Sequence, residues 1–197
     1  MLQIQCLQSK TQEVNSLFSR FVIGPLKKGQ GLTVGNALRR VLLSDLEGLA
    51  IAGVRIADVN HEFSTIPGVK EDLTDILLNL KSIAVKAYSP GLKKMYLKSV
   101  GSGELRAGNF ETDSETEIMN PDQLIMTLDS NADVEIEANV ETGKGYVTAD
   151  VAEDENKIIG EIKLDAMFSP VVKASYKIEN SRVGQVTDFD KLVFEVE

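Results

Sequence analysis

The sequence has no tryptophan, one histidine (His61), one cysteine (Cys6) and only five prolines in 197 residues. A single cysteine excludes an internal disulfide and any zinc site built from several thiolates, and it fits a reducing compartment. A single histidine excludes His-His metal pairs and the H-E-x-x-H pattern, which HEFS at 61–64 matches only superficially. There is no G-x-S-x-G elbow, and Cys6 has no base near it in sequence, so nucleophilic catalysis finds no candidate. Positive charge is also scarce. The 21 Lys and Arg face 30 Asp and Glu, a net charge of −9, which argues against broad binding to nucleic acid because neutralising phosphates needs a basic surplus on one face. Carboxylate pairs such as Glu71-Asp72 and Glu153-Asp154 are what so acidic a chain places on its surface and carry no catalytic signal. Apolar runs stay far below the roughly 18–20 residues of a membrane span. The start, MLQIQCLQSK, lacks the basic head and apolar centre of a signal peptide. These absences predict a soluble intracellular protein with no metal, no cofactor, no membrane association and no catalytic residue.

What is present is an ordinary globular composition, 43% apolar and 26% charged. A chain of this length can bury roughly 70% of its unfolded surface. Residues 50–59, 132–142 and 171–179 alternate apolar with polar side chains, as in Val134, Ile136, Ala138 and Val140 against Glu135, Glu137 and Asn139. These read as strands with one wet face, and further strand-like runs lie near 17–24, 84–89, 94–100 and 191–197. Two segments have helical spacing instead. Val34, Ala37, Leu38, Val41 and Leu42 follow a Thr33 able to act as N-cap, and Val69, Leu73, Ile76, Leu77 and Leu80 follow the turn STIPG. Two helices among many strands predict an α+β fold. Residues 101–122, rich in Gly, Ser, Asn and acid, read as turns rather than core. No internal repeat and no clear linker is visible, so two domains, if present, are nested rather than consecutive.

The stretch GQGLTVGNALRRVLLSDLEG (29–48) invites a phosphate-cradle reading, because a helix N-terminus after glycines attracts anions. Its glycines give G-x-G-x-x-x-G, one residue off the dinucleotide fingerprint, with no Walker Lys-Ser/Thr pair, and Pro25 within the preceding strand marks it as an edge or a strand end. The helix is more telling than the turn. On a helical projection Asn36, Arg39, Arg40 and Leu43 fall opposite the apolar stripe, and Leu78 likewise falls outside the stripe of the second helix. An arginine pair beside a large apolar side chain has the composition of a partner-binding anchor. Three functions stand at this point: an assembly scaffold, a small nucleotide-binding enzyme using the glycine turn, and a self-associating structural protein.

Five collinear blocks carry a resemblance. GQGLTVGNALRRVLLSDLEG, HEFSTIPGVKEDLTDILLNLK (61–81), GKGYV (143–147), DAMFSPV (165–171) and TDFDKLVFEVE (187–197) together resemble the N-terminal domain of the bacterial-type RNA polymerase alpha subunit family. Residues around VRIADVNHEFSTIPGV (54–69) are similar to cyanobacterial and plastid members in particular. The resemblance implies a noncatalytic scaffold for transcription within a nucleotidyltransferase complex, in bacterial cytoplasm or plastid stroma. Two copies would form a homodimer on which the beta and beta-prime subunits assemble, with no direct DNA binding by this segment. It implies a discontinuous dimerisation part, residues 1–49 and 172–197, with helices packed on an antiparallel sheet. A mostly-β part that binds the large subunits, residues 50–171, is inserted within it.

Position by position, the resemblance assigns Val34, Asn36, Leu38 and Leu42 to the dimer helix. Contacts with beta fall to Arg39, Arg40, Leu43, His61 and Glu62, and contacts with beta-prime to Lys81, Leu164 and Arg182. Departures exist. Residues 111–122 match the family poorly, and Gly24 stands where relatives often carry an acid. Family chains continue past FEVE through another helix and a linker to a small DNA-binding domain. That domain is expected to be absent from a sequence ending at Glu197, with dimerisation weakened.

Overall fold

The computed structural model describes residues 2–13, 16–59, 63–89, 91–149, 160–183 and 186–197. The chain opens with strands β1 (Gln3–Glu13) and β2 (Ser16–Lys27) and helix α1 (Gln30–Ser44). It continues through β3 (Glu47–Ile56), helix α2 (Leu73–Lys81), β4 (Val85–Ala87), β5 (Lys93–Val100), β6 (Gly103–Arg106) and β7 (Thr116–Ile118). Next come β8 (Leu124–Leu128), β9 (Asp133–Lys144), β10 (Tyr146–Val147), β11 (Ile162–Lys163) and β12 (Ala166–Met167). The last elements are β13 (Ala174–Val183) and β14 (Val186–Val196). With two α-helices among the described residues and the rest largely sheet, the class is α+β. Two compact units emerge, one from Met1–Leu46 with Ser169–Glu197 and one from Glu47–Phe168.

The discontinuous unit is an antiparallel sheet in the order β1-β2-β14-β13. Its period of two places Ile23, Leu192 and Ile178 in one cross-strand row and Phe21, Phe194 and Tyr176 in the next. Side chains of one row share a face, and α1 lies on that face over β2, β14 and β13. Ile23, Leu26, Ala174, Leu192 and Phe194 are buried beneath it, with Val34, Leu38, Leu42 and Leu43 packed from the helix side. The rings of Tyr176 and Phe194 stack with centroids 6.2 Å apart.

Two expectations for α1 are corrected. The helix begins at Gln30 with Gly29 as N-cap, at φ 86°, so Thr33 lies inside the helix, exposed, and caps nothing. Glycine is suited to that left-handed position, and the capping acceptor comes from β14 instead. The packed side is also rotated. Gly31 and Gly35 are the buried positions of the helix, whereas Ala37 and Val41 are exposed and Leu43 packs on the core. At about 100° per residue, the side centred on Gly31, Gly35 and Leu42 lies about 60° from the stripe counted from large apolar residues alone. Glycines carry no hydrophobicity in such a count, yet they let the helix backbone approach the sheet.

The continuous unit centres on a second antiparallel sheet, β11-β3-β9-β5. Val54, Ile56, Met95, Leu97, Ile136, Ala138 and Val140 face its core, and α2 covers them with Leu73, Ile76, Leu77 and Leu80. Val69 precedes the helix rather than lying on it and forms an isolated bridge to Leu128. Residues 101–122 hold more structure than predicted: β6, β7 and a single 3-10 turn at Ala107–Asn109, with Leu105, Ala107 and Phe110 buried. These three apolar anchors are spaced among exposed residues such as Glu104, Gly108, Asn109 and Glu111, so neither periodicity registers.

Candidate functional site

Two surfaces, one on each unit, carry the residues singled out above. On the discontinuous unit the first question is the helix N-terminus. The Asp190 carboxylate on β14 accepts the Gly29 N–H at 2.8 Å and the Gly31 N–H at 3.2 Å. Free N–H groups and the positive end of the helix dipole are thus answered by a buried carboxylate of the chain itself. The place a phosphate would take is filled, which removes the observation behind the nucleotide-binding reading.

One turn on, the Tyr176 ring fills the space beside Gly35, where an added Cβ would lie 2.6 Å from a ring carbon. Its hydroxyl donates to the Asn36 side-chain oxygen at 2.7 Å. These contacts fix the helix against the sheet and turn Arg39 and Arg40 outward, both exposed, beside Val41 at 46% exposure. Val34, Leu38, Leu42 and Leu43 hold the helix down instead. Arg40 and Leu43 therefore do not share one outward face. Arg182, on β13, is exposed and engaged in an interaction of its own. At the sheet edge, β1 carries Ile4 directly opposite Ile23, on the face that α1 covers elsewhere, and Ile4, Leu2 and Leu7 are exposed.

On the continuous unit, Lys81 ends α2 and lies 3.6 Å from the Asp165 carboxylate. Asp165 also accepts the Ala149 N–H at 2.9 Å. The Ala149 N–H first, then Tyr146 and Lys81, hold the Asp165 carboxyl below the usual aspartate range, and the Asp165 carboxylate pushes the Tyr146 phenol above its usual value. Tyr146 and Met167 stand directly opposite each other on β10 and β12 and are both exposed. Leu164 is different. It is 7% exposed and packs in the core, so its side chain offers no open surface in this unit. Sequence reasoning missed Asp165, Tyr146 and Met167, although all three lie inside the GKGYV and DAMFSPV blocks. His61 and Glu62 lie outside the described residues.

Among the described residues, no three His, Cys, Asp or Glu side chains are placed to hold a metal ion, and no helix is long and apolar enough to cross a membrane. A sequence profile described as the RNA polymerase Rpb3/RpoA insert domain matches residues 54–169. The chain belongs to this family.

Within the Rpb3/RpoA family the chain is similar to proteins named DNA-directed RNA polymerase subunit alpha. One, from Moorella thermoacetica, is 46% identical over 196 residues, covering 100% of this chain and 63% of that protein. Another, from Desulfitobacterium hafniense, is 47% identical over 194 residues, covering 98% of this chain and 61% of that protein. The chain thus spans a little under two thirds of the length of these relatives.

Proposed function

We propose that this chain is a noncatalytic assembly module of a DNA-directed RNA polymerase, the part of an alpha subunit that dimerises and gathers the two large subunits. The observation that carries the reading is identity of 46–47% to subunits alpha along essentially the whole chain. In this reading the discontinuous unit pairs with a second copy. The exposed apolar strip of Ile4 and Leu7, together with Val41 on α1, is the material such a contact would bury. Val34, Asn36, Leu38 and Leu42 serve dimerisation by holding α1 on its sheet.

Arg39 and Arg40 present two guanidinium groups to the beta subunit, Leu43 sets the helix that carries them, and His61 and Glu62 belong to the same contact. Lys81 and Arg182 engage beta-prime, and Leu164 acts by placing its neighbours. No direct contact with DNA is assigned to this segment. Bacterial cytoplasm and plastid stroma both fit a polymerase subunit, and the cyanobacterial or plastid likeness of residues 54–69 stays a resemblance, since the two relatives named above come from other bacteria.

The test replaces Arg39 and Arg40 together with alanine and measures co-purification with the beta subunit of the same polymerase. Both side chains are exposed, so the fold should persist while recovery of beta falls at least tenfold. Undiminished recovery of beta by the folded variant would overturn the assignment.

A further inference from the structure

Strand β11 pairs with β3 through only two residues, Ile162 opposite Val54 and Lys163 opposite Gly53. From there Ile162, Leu164 and Ala166 are buried, and Lys163, Asp165 and Met167 alternate with them. A slip of two residues keeps this alternation, so the apolar pattern alone does not choose between alignments two residues apart. The outward side chains do differ, and one of them is unusual. The Glu161 side chain is only 2% exposed. Its carboxylate lies across Gly53, where an added Cβ would run into it, and it accepts a hydrogen bond from the side-chain amide of Asn139 on β9, the residue directly opposite Gly53. Lys163 lies 3.2 Å from the same carboxylate. The pairing of β3 with β9 is irregular just here, with Ala52 left over between Ile51 and Gly53, and the Ala52 carbonyl accepts the Leu164 N–H at 2.9 Å.

We propose that Glu161 is a register lock: its carboxylate fits only where Gly53, Asn139 and Lys163 converge, and so it selects one of the alignments that the alternation of Ile162, Leu164 and Ala166 allows. A buried ion pair adds little net stability, but a buried charge stripped of its partners is costly, so the effect falls on which arrangement is chosen. Sliding β11 by two residues one way sets Lys163 opposite Arg55 and Asp165 opposite Gly53. That places like charges side by side and removes Glu161 from the Asn139 amide. The opposite slip drives Ile162 against Ala52, where regular pairing is broken. Asp165 follows β11 by two residues, so the alignment that seats Glu161 is also the one that brings the Asp165 carboxylate to Lys81 and to the Ala149 N–H. Gly53 belongs to the same device, because any side chain there evicts the carboxylate.

The experiment reads the register directly, from cross-strand proton NMR contacts in the unmodified chain and in Glu161→Ala, Gly53→Ala and Glu161→Gln. The unmodified chain should give one set of signals, with Ile162 in contact with Val54. In Glu161→Ala and Gly53→Ala a second set displaced by two residues, with Leu164 in contact with Val54, should reach roughly a tenth of the molecules or more. Glu161→Gln keeps the size and the acceptor for Asn139 but not the charge facing Lys163, and its second set should be smaller. Native contacts alone in Glu161→Ala and Gly53→Ala would overturn the proposal even if their denaturation midpoints fall, because a lower midpoint without a second register is what a merely structural contact gives. Loss of the Ile162–Val54 contact with no displaced one in its place would overturn it as well. Should Gly53→Ala fail to fold, Glu161→Ala, which only removes side-chain atoms, decides alone.

Discussion

The Tyr176 hydroxyl bonds to Asn36 at 2.7 Å while its ring occupies the space where a Cβ on Gly35 would be, 2.6 Å from a ring carbon. One side chain thus sets both the separation of α1 from its sheet and the roll of the helix. Gly35→Ala forces either the ring or the helix to move. Overpacking of this kind costs about 1–3 kcal/mol, read as a lower midpoint of denaturation. Pairing it with Tyr176→Leu, which vacates the space, should recover part of the loss. Equal stability of Gly35→Ala and the unmodified chain would show that the close approach is unnecessary.

Asp190 serves the preceding turn. Replacing it with alanine removes the acceptor for the Gly29 and Gly31 N–H groups and should destabilise the chain by about 0.5–2 kcal/mol, as loss of a helix cap does. The variant Asp190→Asn keeps a side-chain oxygen and should cost less. If the alanine variant bound a nucleoside phosphate, seen as a thermal shift, the vacated N-terminus would be a competent anion site that Asp190 normally fills.

Leu43 and Arg40 separate packing from docking. Leu43→Ala opens space beneath α1 and should cost about 2 kcal/mol, the low end for a leucine truncated in a core, since Leu43 is only partly buried. Arg40→Ala should leave the denaturation midpoint where it is. An exposed-site result for Leu43, with no change in stability, would restore it to the outward face beside Arg40.

Glu71 supplies a pH-dependent term. Burial pushes its carboxyl up, but the Thr127 N–H at 2.7 Å and the Thr127 hydroxyl at 2.8 Å outweigh this and hold it below the ordinary glutamate value. A carboxyl depressed in the folded state stabilises above its unfolded pKa and loses that contribution as pH falls through the folded value. Stability of the chain should therefore decline below about pH 5, and Glu71→Gln should flatten that part of the curve. An identical acid limb in the variant would assign the pH dependence to other carboxylates.

Much of this was legible in the sequence. The alternation of Val134, Ile136, Ala138 and Val140 located β9, and the spacing of Leu73, Ile76, Leu77 and Leu80 located the buried side of α2. The orientation of α1 was not, because its packing depends on Gly31 and Gly35, which no hydrophobic pattern weighs, and on Tyr176 and Asp190, more than 100 residues away in sequence. Strand β1 escaped notice because Ile4 and Leu7 sit at a sheet edge with no core to impose alternation. The Asp165 cluster escaped for a related reason. Each of its members is an ordinary surface residue until β10 and β12 pair and the end of α2 brings Lys81 to the Asp165 carboxylate. Arg39 and Arg40 were readable as an outward pair from their position alone.

The most direct test of the assembly role is the native mass of the complex that this chain enters when produced together with the beta and beta-prime subunits of its own polymerase. The account predicts a single species containing both large subunits and two copies of this chain. A chain that remains alone at 21.5 kDa, with beta and beta-prime recovered separately, would contradict it.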